Sequence, residues 1–241
     1  MRFASWNMYG KWEYGTFSIA AAGPERKYWG VAVSTKPRSV GATVPWTEWR
    51  VGAVATQAFS NFYYGPQGLD LLRRGYSAPE VVRKLTRADS QRDHRQLGVV
   101  DRKGRAAAWT GSKCLDHAIH VVGDGYTCQG NLLAAASVVP AMAKAFESTR
   151  GTLAGRMLAA LKAGAREGGD RRGMESSAIM VSHREPWFPK TWSDYWVNIR
   201  VDQHRKPIEE LDRILRIDEA ETRKFLARRA ATLRRRKAKR R

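Results

Sequence analysis

The stretch from Tyr14 to Lys36, YGTFSIAAAGPERKYWGVAVSTK, decides the fold. Residues 16–20 alternate polar and apolar side chains, the period-two pattern of a half-buried strand. Residues 30–33 are small and β-branched, as in a buried strand, and the charged Gly-Pro segment between the two runs predicts a turn. The sequence therefore predicts a β-hairpin that brings Thr16, at the start of one strand, close to Lys36, at the end of its neighbour.

The Gly15-Thr16 junction gives this hairpin a chemical interpretation. A threonine hydroxyl is a weak nucleophile unless a base lies beside it, and a free α-amine on the same residue is such a base. Cleavage of the Gly15–Thr16 bond would create that amine. We therefore expect Thr16 to become the N-terminus and to act as a nucleophile; the alternative is an ordinary strand threonine.

Length and composition limit the class of protein. A chain of 241 residues accommodates one full-sized domain with a substantial core. No run of eighteen or more apolar residues occurs, so no membrane span is expected, and the first residues lack the apolar middle of a signal peptide. The two cysteines, Cys114 and Cys128, are too few for a disulfide framework. These features favour a cytoplasmic protein.

The formal net charge of +20 is concentrated at the C-terminus, where residues 221–241 hold eleven Lys or Arg and one Glu. Such a segment can bind nucleic acid or another acidic partner through counterion release, or it can be a solvated helix that keeps the protein soluble. No recognition motif accompanies it, so charge alone does not identify a nucleic-acid-binding protein. Residues 223–241 are the candidate contact with such a partner.

The rest of the sequence predicts further strands and helices. Strand patterns occupy residues 53–58, 95–100, 106–110, 176–181 and 197–201. Helical spacing occupies residues 68–74, 78–85 (with Ser77 as N-cap), 134–148, 153–167 and 207–215. Residues 123–130 are predicted to be a glycine-rich loop that opens into the helices, and residues 168–173 a tight loop. This order predicts an α+β layered domain at 16–217, after an extension or propeptide at 1–15 and before a basic helical tail at 218–241.

Seven blocks of sequence resemble one family. In chain order they are TFSIAA, GVAVSTK, ATQAFSN with YGPQGLDLL, RQLGVVD with WTGSKCLDHA, QGNLL, GGDRRGMESSA, and RVDQH with PIEEL. The blocks are similar to the family called domain of unknown function 1028 (DUF1028), which is grouped with the N-terminal nucleophile (Ntn) hydrolases. The resemblance covers Thr16 to about Leu215. It implies the four-layer αββα sandwich of the Ntn fold and a hydrolase, but no defined substrate and no cofactor.

A fainter similarity to proteasome β-subunits implies roles for single residues. In those proteins a Gly-Thr bond is cleaved so that the threonine becomes the first residue, and Gly15-Thr16 has that form. Their second strand ends in a charged residue near the nucleophile, as Lys36 ends GVAVSTK, and a later loop supplies an aspartate, as Asp170 does in GGDRRG. Two departures are that Lys36 stands where an aspartate would match, and that fifteen residues precede Thr16.

The predicted catalytic set is Thr16, Lys36 and Asp170, with Gly15 as the processing residue. Lys36 would lower the pKa of the new amine through like charge, and Asp170 would orient the amine or Lys36. Their alternatives are a solvated strand-end lysine and a turn aspartate. Polar residues expected to bind substrate or to stabilise an oxyanion are Ser34, Gln57 and Asn131, and one arginine of the pair Arg171 and Arg172 is expected to clamp a substrate carboxylate.

Cys114, His117 and His120 are spaced by three, which on a helix would align them as metal ligands. We favour packed structural side chains over this reading and expect no metal and no cofactor. The tryptophan-rich segment from Trp187 to Trp196 is left open as a lid, a dimer surface or core packing.

The sequence thus predicts an N-terminal-threonine amide hydrolase of small amide or peptide-like substrates, activated by cleavage before Thr16. We also expect a homo-oligomer of two or more subunits and no membrane contact. The rival is a non-catalytic Ntn-fold protein whose basic tail contacts nucleic acid or another acidic partner.

Overall fold

The computed structural model describes residues 15–23, 25–188 and 194–238, with side chains up to residue 235. The first fourteen residues of the predicted extension at 1–15, the middle of the tryptophan-rich segment and the last three residues of the tail lie outside the described residues.

The described chain is a mixed α+β structure with two antiparallel sheets and five α-helices. The strands are β1 (Thr16–Ala22), β2 (Trp29–Thr35), β3 (Pro45–Glu48), β4 (Gly52–Ala58), β5 (Arg95–Asp101), β6 (Ala106–Thr110), β7 (Ile119–Gly123), β8 (Tyr126–Asn131), β9 (Ser176–Ser182) and β10 (Tyr195–Val201). The helices are α1 (Tyr64–Arg73), α2 (Ala78–Arg87), α3 (Val138–Ser148), α4 (Leu153–Arg166) and α5 (Pro207–Ala238). One sheet has the order β10-β9-β2-β1-β8-β7, and the other has the order β3-β4-β5-β6.

The predicted hairpin of β1 and β2 is confirmed and lies at the centre of the six-stranded sheet. Phe17 is paired with Ser34 and Ala22 with Trp29. Every residue of both strands is buried, because β8 and β9 cover their outer edges and side chains pack on both faces. Thr16 and Thr35 therefore lie side by side at the same end of the hairpin, and Lys36 follows directly.

Three apolar cores pack the elements of the described ranges together. One lies between the six-stranded sheet and the helices α3, α4 and α5, and it includes Phe17 and Ile19. A second core lies between the two sheets and includes Ala20 and Val33. The third lies between the four-stranded sheet and the helices α1 and α2. Because side chains alternate along β1, the residues at even numbers from Thr16 to Ala22 face the other sheet.

The helices agree with the sequence pattern. Ser77 precedes α2 in a capping box, since its backbone N–H donates to Glu80 Oε2 at 2.8 Å. Helix α3 begins at Val138, four residues after its predicted start, and α5 continues as one helix from the core into the basic tail. None of the helices in the described ranges is both long enough and apolar enough to cross a membrane.

The prediction of a glycine-rich loop at 123–130 is wrong. The segment contributes the end of β7, the Asp124-Gly125 turn and most of β8. Gly125 has φ +78°, the left-handed conformation that an Asp-Gly hairpin turn requires, so its glycine serves a tight turn between strands. Gly130 lies within β8, where the side chain of Leu133 fills the space that a Cβ would need.

Candidate functional site

Thr16 is the first residue of β1, and it is 7% exposed. Its side chain points between the two sheets, on the same face as Ser18, whose hydroxyl donates to Gln57 Oε1 on β4 at 2.5 Å. The Thr16 hydroxyl lies within hydrogen-bond distance of two acceptors, the carbonyl oxygen of Gly15 at 2.5 Å and the hydroxyl of Thr35 at 3.1 Å. The nucleophile candidate is therefore held against the peptide bond that precedes it.

Several hydrogen-bond donors converge on the carbonyl oxygen of Gly15. Besides the Thr16 hydroxyl, it accepts hydrogen bonds from the Thr35 hydroxyl and from Arg172 Nη2, the latter at 3.0 Å. Donors that converge on a carbonyl oxygen stabilise negative charge there. A Cβ at Gly15 would lie 2.9 Å from Leu132 Cβ and 3.0 Å from both Arg172 Nη2 and Asp170 Oδ1, so only glycine fits without displacing this cluster.

Asp170 contacts the two side chains, Arg172 and Thr35, that donate to the Gly15 carbonyl oxygen. It lies in the predicted tight loop, where Gly168 and Gly169 have φ values of +101° and +57° that turn the chain toward β1. Its buried carboxylate accepts three hydrogen bonds from Arg172, through the backbone N–H and Nε to Oδ1 at 3.0 Å and through Nη2 to Oδ2 at 2.7 Å. Oδ2 also accepts from the backbone N–H of Lys36 at 3.0 Å. It lies 3.3 Å from the Thr35 hydroxyl, whose one proton has Asp170 and the Gly15 carbonyl oxygen as alternative acceptors.

Lys36 reaches this cluster through its backbone. Its ammonium group forms an ion pair with Glu175 Oε1 at 2.5 Å, and this hydrogen bond and charge lower the pKa of Glu175. The structure thus brings the Lys36 main chain to Asp170 and directs the side chain toward Glu175.

A buried layer of amide side chains continues the site between the sheets. Gln57 Nε2 donates to the carbonyl oxygen of Thr16 at 3.2 Å and to Gln96 Oε1 at 2.7 Å. Gln96 Nε2 donates to the carbonyl oxygen of Gly130 at 2.8 Å. Gln129 Nε2 donates to the Ser18 hydroxyl at 2.6 Å. The layer thus holds the main-chain carbonyl oxygens of Thr16 on β1 and Gly130 on the neighbouring β8.

Asn131 is paired with Thr16 across β8 and β1. Its Nδ2 donates to Gln96 Oε1 at 2.9 Å, while its Oδ1 is buried without a hydrogen-bond partner among the described residues. The orientation of the Asn131 amide follows from Gln96, because only a donor can face an acceptor oxygen. Among the described residues, Asn131 therefore presents an unpaired acceptor next to Thr16 in the strand register, while one N–H of its amide is used by Gln96.

The comparisons with known proteins concern the part of the chain that holds this site. The family model described as "Family of unknown function (DUF1028)" matches residues 16–211. The chain belongs to the DUF1028 family. A crystal structure of protein SPO2555 from Silicibacter pomeroyi, also assigned to the DUF1028 model, is 34% identical with a TM-score of 0.74, and the match covers 84% of this chain and 88% of that one. No curated protein matches the chain. The DUF1028 match begins at Thr16 and includes Thr35, Asp170 and Arg172, whereas Gly15 immediately precedes it.

Two predicted residues of this DUF1028 chain lie away from the cluster. Ser34 is on the opposite face of β2 from Thr35, and its hydroxyl donates to the carbonyl oxygen of Ser176 at 3.0 Å. Arg171 points outward and forms an exposed ion pair with Asp116 at 3.1 Å. Arg172 is thus the arginine of the pair that reaches the site.

The interpretation that aligned Cys114, His117 and His120 on a helix is wrong. Cys114 lies in a turn, where it donates to the carbonyl oxygen of Arg95 at 3.3 Å and burial raises its pKa to about 11. His117 has φ +53° in the following loop. His120 lies on β7 with Nδ1 2.8 Å from the Thr110 hydroxyl, and burial lowers its pKa. Among the residues that the structure describes, no group of three or more His, Cys, Asp or Glu side chains is placed to hold a metal ion.

Sequence reasoning missed Thr35 and Gln96. Thr35 stands next to Lys36 in the same strand-end motif, and Gln96 is a polar residue in an otherwise apolar strand pattern. A polar side chain at a buried strand position was the available signal in both cases, but it does not reveal which face of which sheet the residue occupies.

Proposed function

We propose that this DUF1028 protein is an N-terminal-threonine amide hydrolase that is activated by cleavage of the Gly15–Thr16 bond. The observation that carries the proposal is the buried contact of 2.5 Å between the Thr16 hydroxyl and the Gly15 carbonyl oxygen, with Arg172 and Thr35 donating to the same oxygen. A nucleophile, its target carbonyl and two donors for the developing charge are the parts that acyl transfer requires.

The proposal includes the fold type. Two face-to-face sheets with one apolar core between them, and a helical core on each outer side, support a four-layer αββα sandwich of the Ntn type. In such an arrangement the first strand of the domain carries the nucleophile at its beginning, as β1 does here with Thr16.

Cleavage is the first reaction. The Thr16 oxygen bonds to the carbonyl carbon of Gly15 and gives up its proton, and the carbonyl oxygen takes the negative charge opposite Arg172 and Thr35. When this intermediate collapses, the carbon–nitrogen bond breaks and a proton joins the Thr16 nitrogen, which leaves an ester between Gly15 and the Thr16 side chain. Water then hydrolyses the ester to a Gly15 carboxylate and a free α-amine on Thr16.

Hydrolysis of a substrate amide repeats this chemistry, with the free α-amine of Thr16 as the new base. The α-amine takes the proton of the Thr16 hydroxyl as this oxygen attacks the substrate carbonyl. That carbonyl replaces the Gly15 carbonyl, so Arg172 and Thr35 face the same developing charge. We assign Asp170 to orienting Arg172 and the amine. Lys36 supports Asp170 through its backbone N–H, because its ammonium group is paired with Glu175.

The free acceptor on Asn131 restricts the substrate. Asn131 Oδ1 is buried and has no hydrogen-bond partner within the described ranges, and Asn131 pairs with Thr16. A substrate with an N–H group next to its scissile carbonyl would satisfy this oxygen, and a substrate without one would leave it unpaired. A cleft of about 450 Å³ is lined by Thr110, His117 and His120, and His120 is paired with Gln129, two residues before Asn131 on β8. We therefore propose small amides that carry an N–H donor on the acyl side.

Mass spectrometry and N-terminal sequencing of the purified full chain test this function. We expect a product that begins at Thr16 in the wild type, an intact chain in Thr16→Ala, and slower cleavage in Thr16→Ser. The processed protein should release product from aminoacyl-coumarin amides, and Thr16→Ala should not. A chain that stays intact, or that Thr16→Ala cleaves equally well, would rule out the proposal.

A second candidate function is favoured by helix α5. This helix has 32 residues, about 48 Å at 1.5 Å per residue, and among its described side chains those of residues 223–235 are exposed or half-buried. Arg229 lies 3.8 Å above the Trp187 ring, which ties the beginning of this segment to the domain. We propose that residues 223–241 contact nucleic acid or another acidic partner.

Fluorescence anisotropy with a single-stranded RNA tests this second function. We expect binding that weakens steeply with salt and that is lost when residues 223–241 are deleted, with Thr16→Ala as the control that keeps the tail. Equal binding by the truncated protein would contradict it. The molar mass from light scattering tests the predicted homo-oligomer of two or more subunits. We also propose a reducing, cytoplasmic setting, which the two free thiols support.

A further inference from the structure

Thr35 is a buried hydroxyl that the sequence did not single out. It is the last residue of β2 and is 1% exposed. Its Oγ1 lies within hydrogen-bond distance of three groups of the site: the Thr16 hydroxyl at 3.1 Å, Asp170 Oδ2 at 3.3 Å and the carbonyl oxygen of Gly15. In the described contacts, the Asp170 carboxylate reaches the Thr16 hydroxyl through Thr35.

Cleavage of Gly15–Thr16 needs a base that the later reaction does not need. The α-amine of Thr16 serves as the base once it is free, but before cleavage its nitrogen is part of the amide bond and has no basic lone pair. The Lys36 ammonium is paired with Glu175. Asp170 is the buried carboxylate that remains, and it contacts a hydroxyl that contacts Thr16.

We propose that Thr35 is the catalytic proton relay of the cleavage step, and this inference rests on the proposed function. As Thr16 Oγ1 bonds to the Gly15 carbon, its proton moves to Thr35 Oγ1, and the proton of Thr35 moves to Asp170 Oδ2. The Gly15 oxygen becomes an oxyanion that accepts from Arg172 and from the Thr35 hydroxyl. When the carbon–nitrogen bond breaks, the neutral Asp170 carboxyl returns its proton through Thr35 to the Thr16 nitrogen, and water later hydrolyses the ester.

The hydrogen-bonding capacity of one hydroxyl permits this route. A threonine hydroxyl donates one hydrogen bond and accepts two. Thr35 can accept from Thr16 while it donates to Asp170, and after the transfer it can turn its proton toward the Gly15 oxygen. The five hydrogen bonds on Asp170 from Arg172, Lys36 and Thr35 hold the carboxylate where this exchange occurs.

The test compares cleavage rates of full-length Thr35→Val, Thr35→Ser and a control by intact mass over time. Thr35→Val keeps the shape and removes the hydroxyl, so we expect cleavage to slow by about 100-fold or more, the usual contribution of a positioned acid–base group. Thr35→Ser keeps the hydroxyl and should stay within roughly tenfold of wild type. Thr47→Val is the matched control, because Thr47 is also a buried threonine between the sheets and its hydroxyl lies 2.5 Å from that of Ser182.

A second readout separates proton relay from packing. The wild-type cleavage rate should show a solvent deuterium isotope effect, and the slow residual cleavage of Thr35→Val should show a smaller one. If Thr35→Val cleaves at the wild-type rate, or if Thr47→Val is slowed equally, the relay is overturned although the nucleophile stands. If the wild type itself does not cleave, the proposed function fails and the relay fails with it.

Discussion

Replacement of Asp170 by Asn should both stop cleavage and destabilise the domain. The substitution keeps the shape of the side chain but removes the charge that pairs with Arg172, and it turns one oxygen into an N–H donor that faces other donors. Breaking a buried ion pair by removing one partner costs about 3–5 kcal/mol. The Asp170 side chain is fully buried and that of Arg172 is 20% exposed, so we expect the lower end, about 3 kcal/mol.

Urea unfolding at neutral pH measures this loss, with Thr16→Ala as the common background so that cleavage does not change the protein between samples. In this background Asp170→Asn should unfold at a lower midpoint with an unchanged slope. Adding Arg172→Met should recover part of the loss, because the uncompensated charge is then removed as well. A loss of less than about 1 kcal/mol in the free energy of unfolding of Asp170→Asn would contradict this expectation, as would a double variant destabilised by the sum of both changes.

Three further predictions concern the surroundings of the site. Gly15→Ala should slow cleavage, because its Cβ would lie 2.9 Å from Leu132 Cβ; time-resolved intact mass measures this, and an unchanged rate contradicts it. Gln96→Leu should lower the free energy of unfolding in urea by about 2–4 kcal/mol, because it leaves two buried amide N–H groups without their shared acceptor. Gln96→Glu keeps an acceptor and should lower it less. Burial alone would raise the pKa of Asp89, but hydrogen bonds led by that from Arg95 lower it to about 2. The lowered pKa stabilises the folded state by about 2 kcal/mol above pH 4, and this stabilisation is lost as pH falls toward 2. Asp89→Asn should therefore flatten the decrease in the free energy of unfolding between pH 4 and pH 2.

The central hairpin and most helices could be predicted from the sequence because their signals are local. Alternation over residues 16–20, the Gly-Pro turn and the Ser77 cap each depend on a few neighbouring residues. The segment 123–130 was misread because its glycines indicate a loop by composition, whereas its Asp-Gly pair indicates a hairpin turn with a strand on each side. Cys114, His117 and His120 fall in a turn, a loop and a strand, so their spacing of three does not place them on one helix face.

The site was predictable only in part because its contacts are long-range. Thr16, Asp170 and Gln57 were singled out from motifs, and the structure brings them together with Arg172. Thr35 is adjacent to the predicted Lys36, and only the pairing of β1 with β2 shows that the threonine, and not the lysine side chain, faces Thr16. Ser34 was predicted to bind substrate, but it precedes Thr35 by one position and therefore lies on the opposite face of β2.

The central claim is that Thr16 becomes the first residue of the active protein. N-terminal sequencing of the protein purified from its native host tests this most directly. We expect a sequence that begins Thr-Phe-Ser-Ile, with Thr16 carrying a free α-amine. A chain that retains Gly15 on Thr16 in an actively hydrolysing preparation would contradict it.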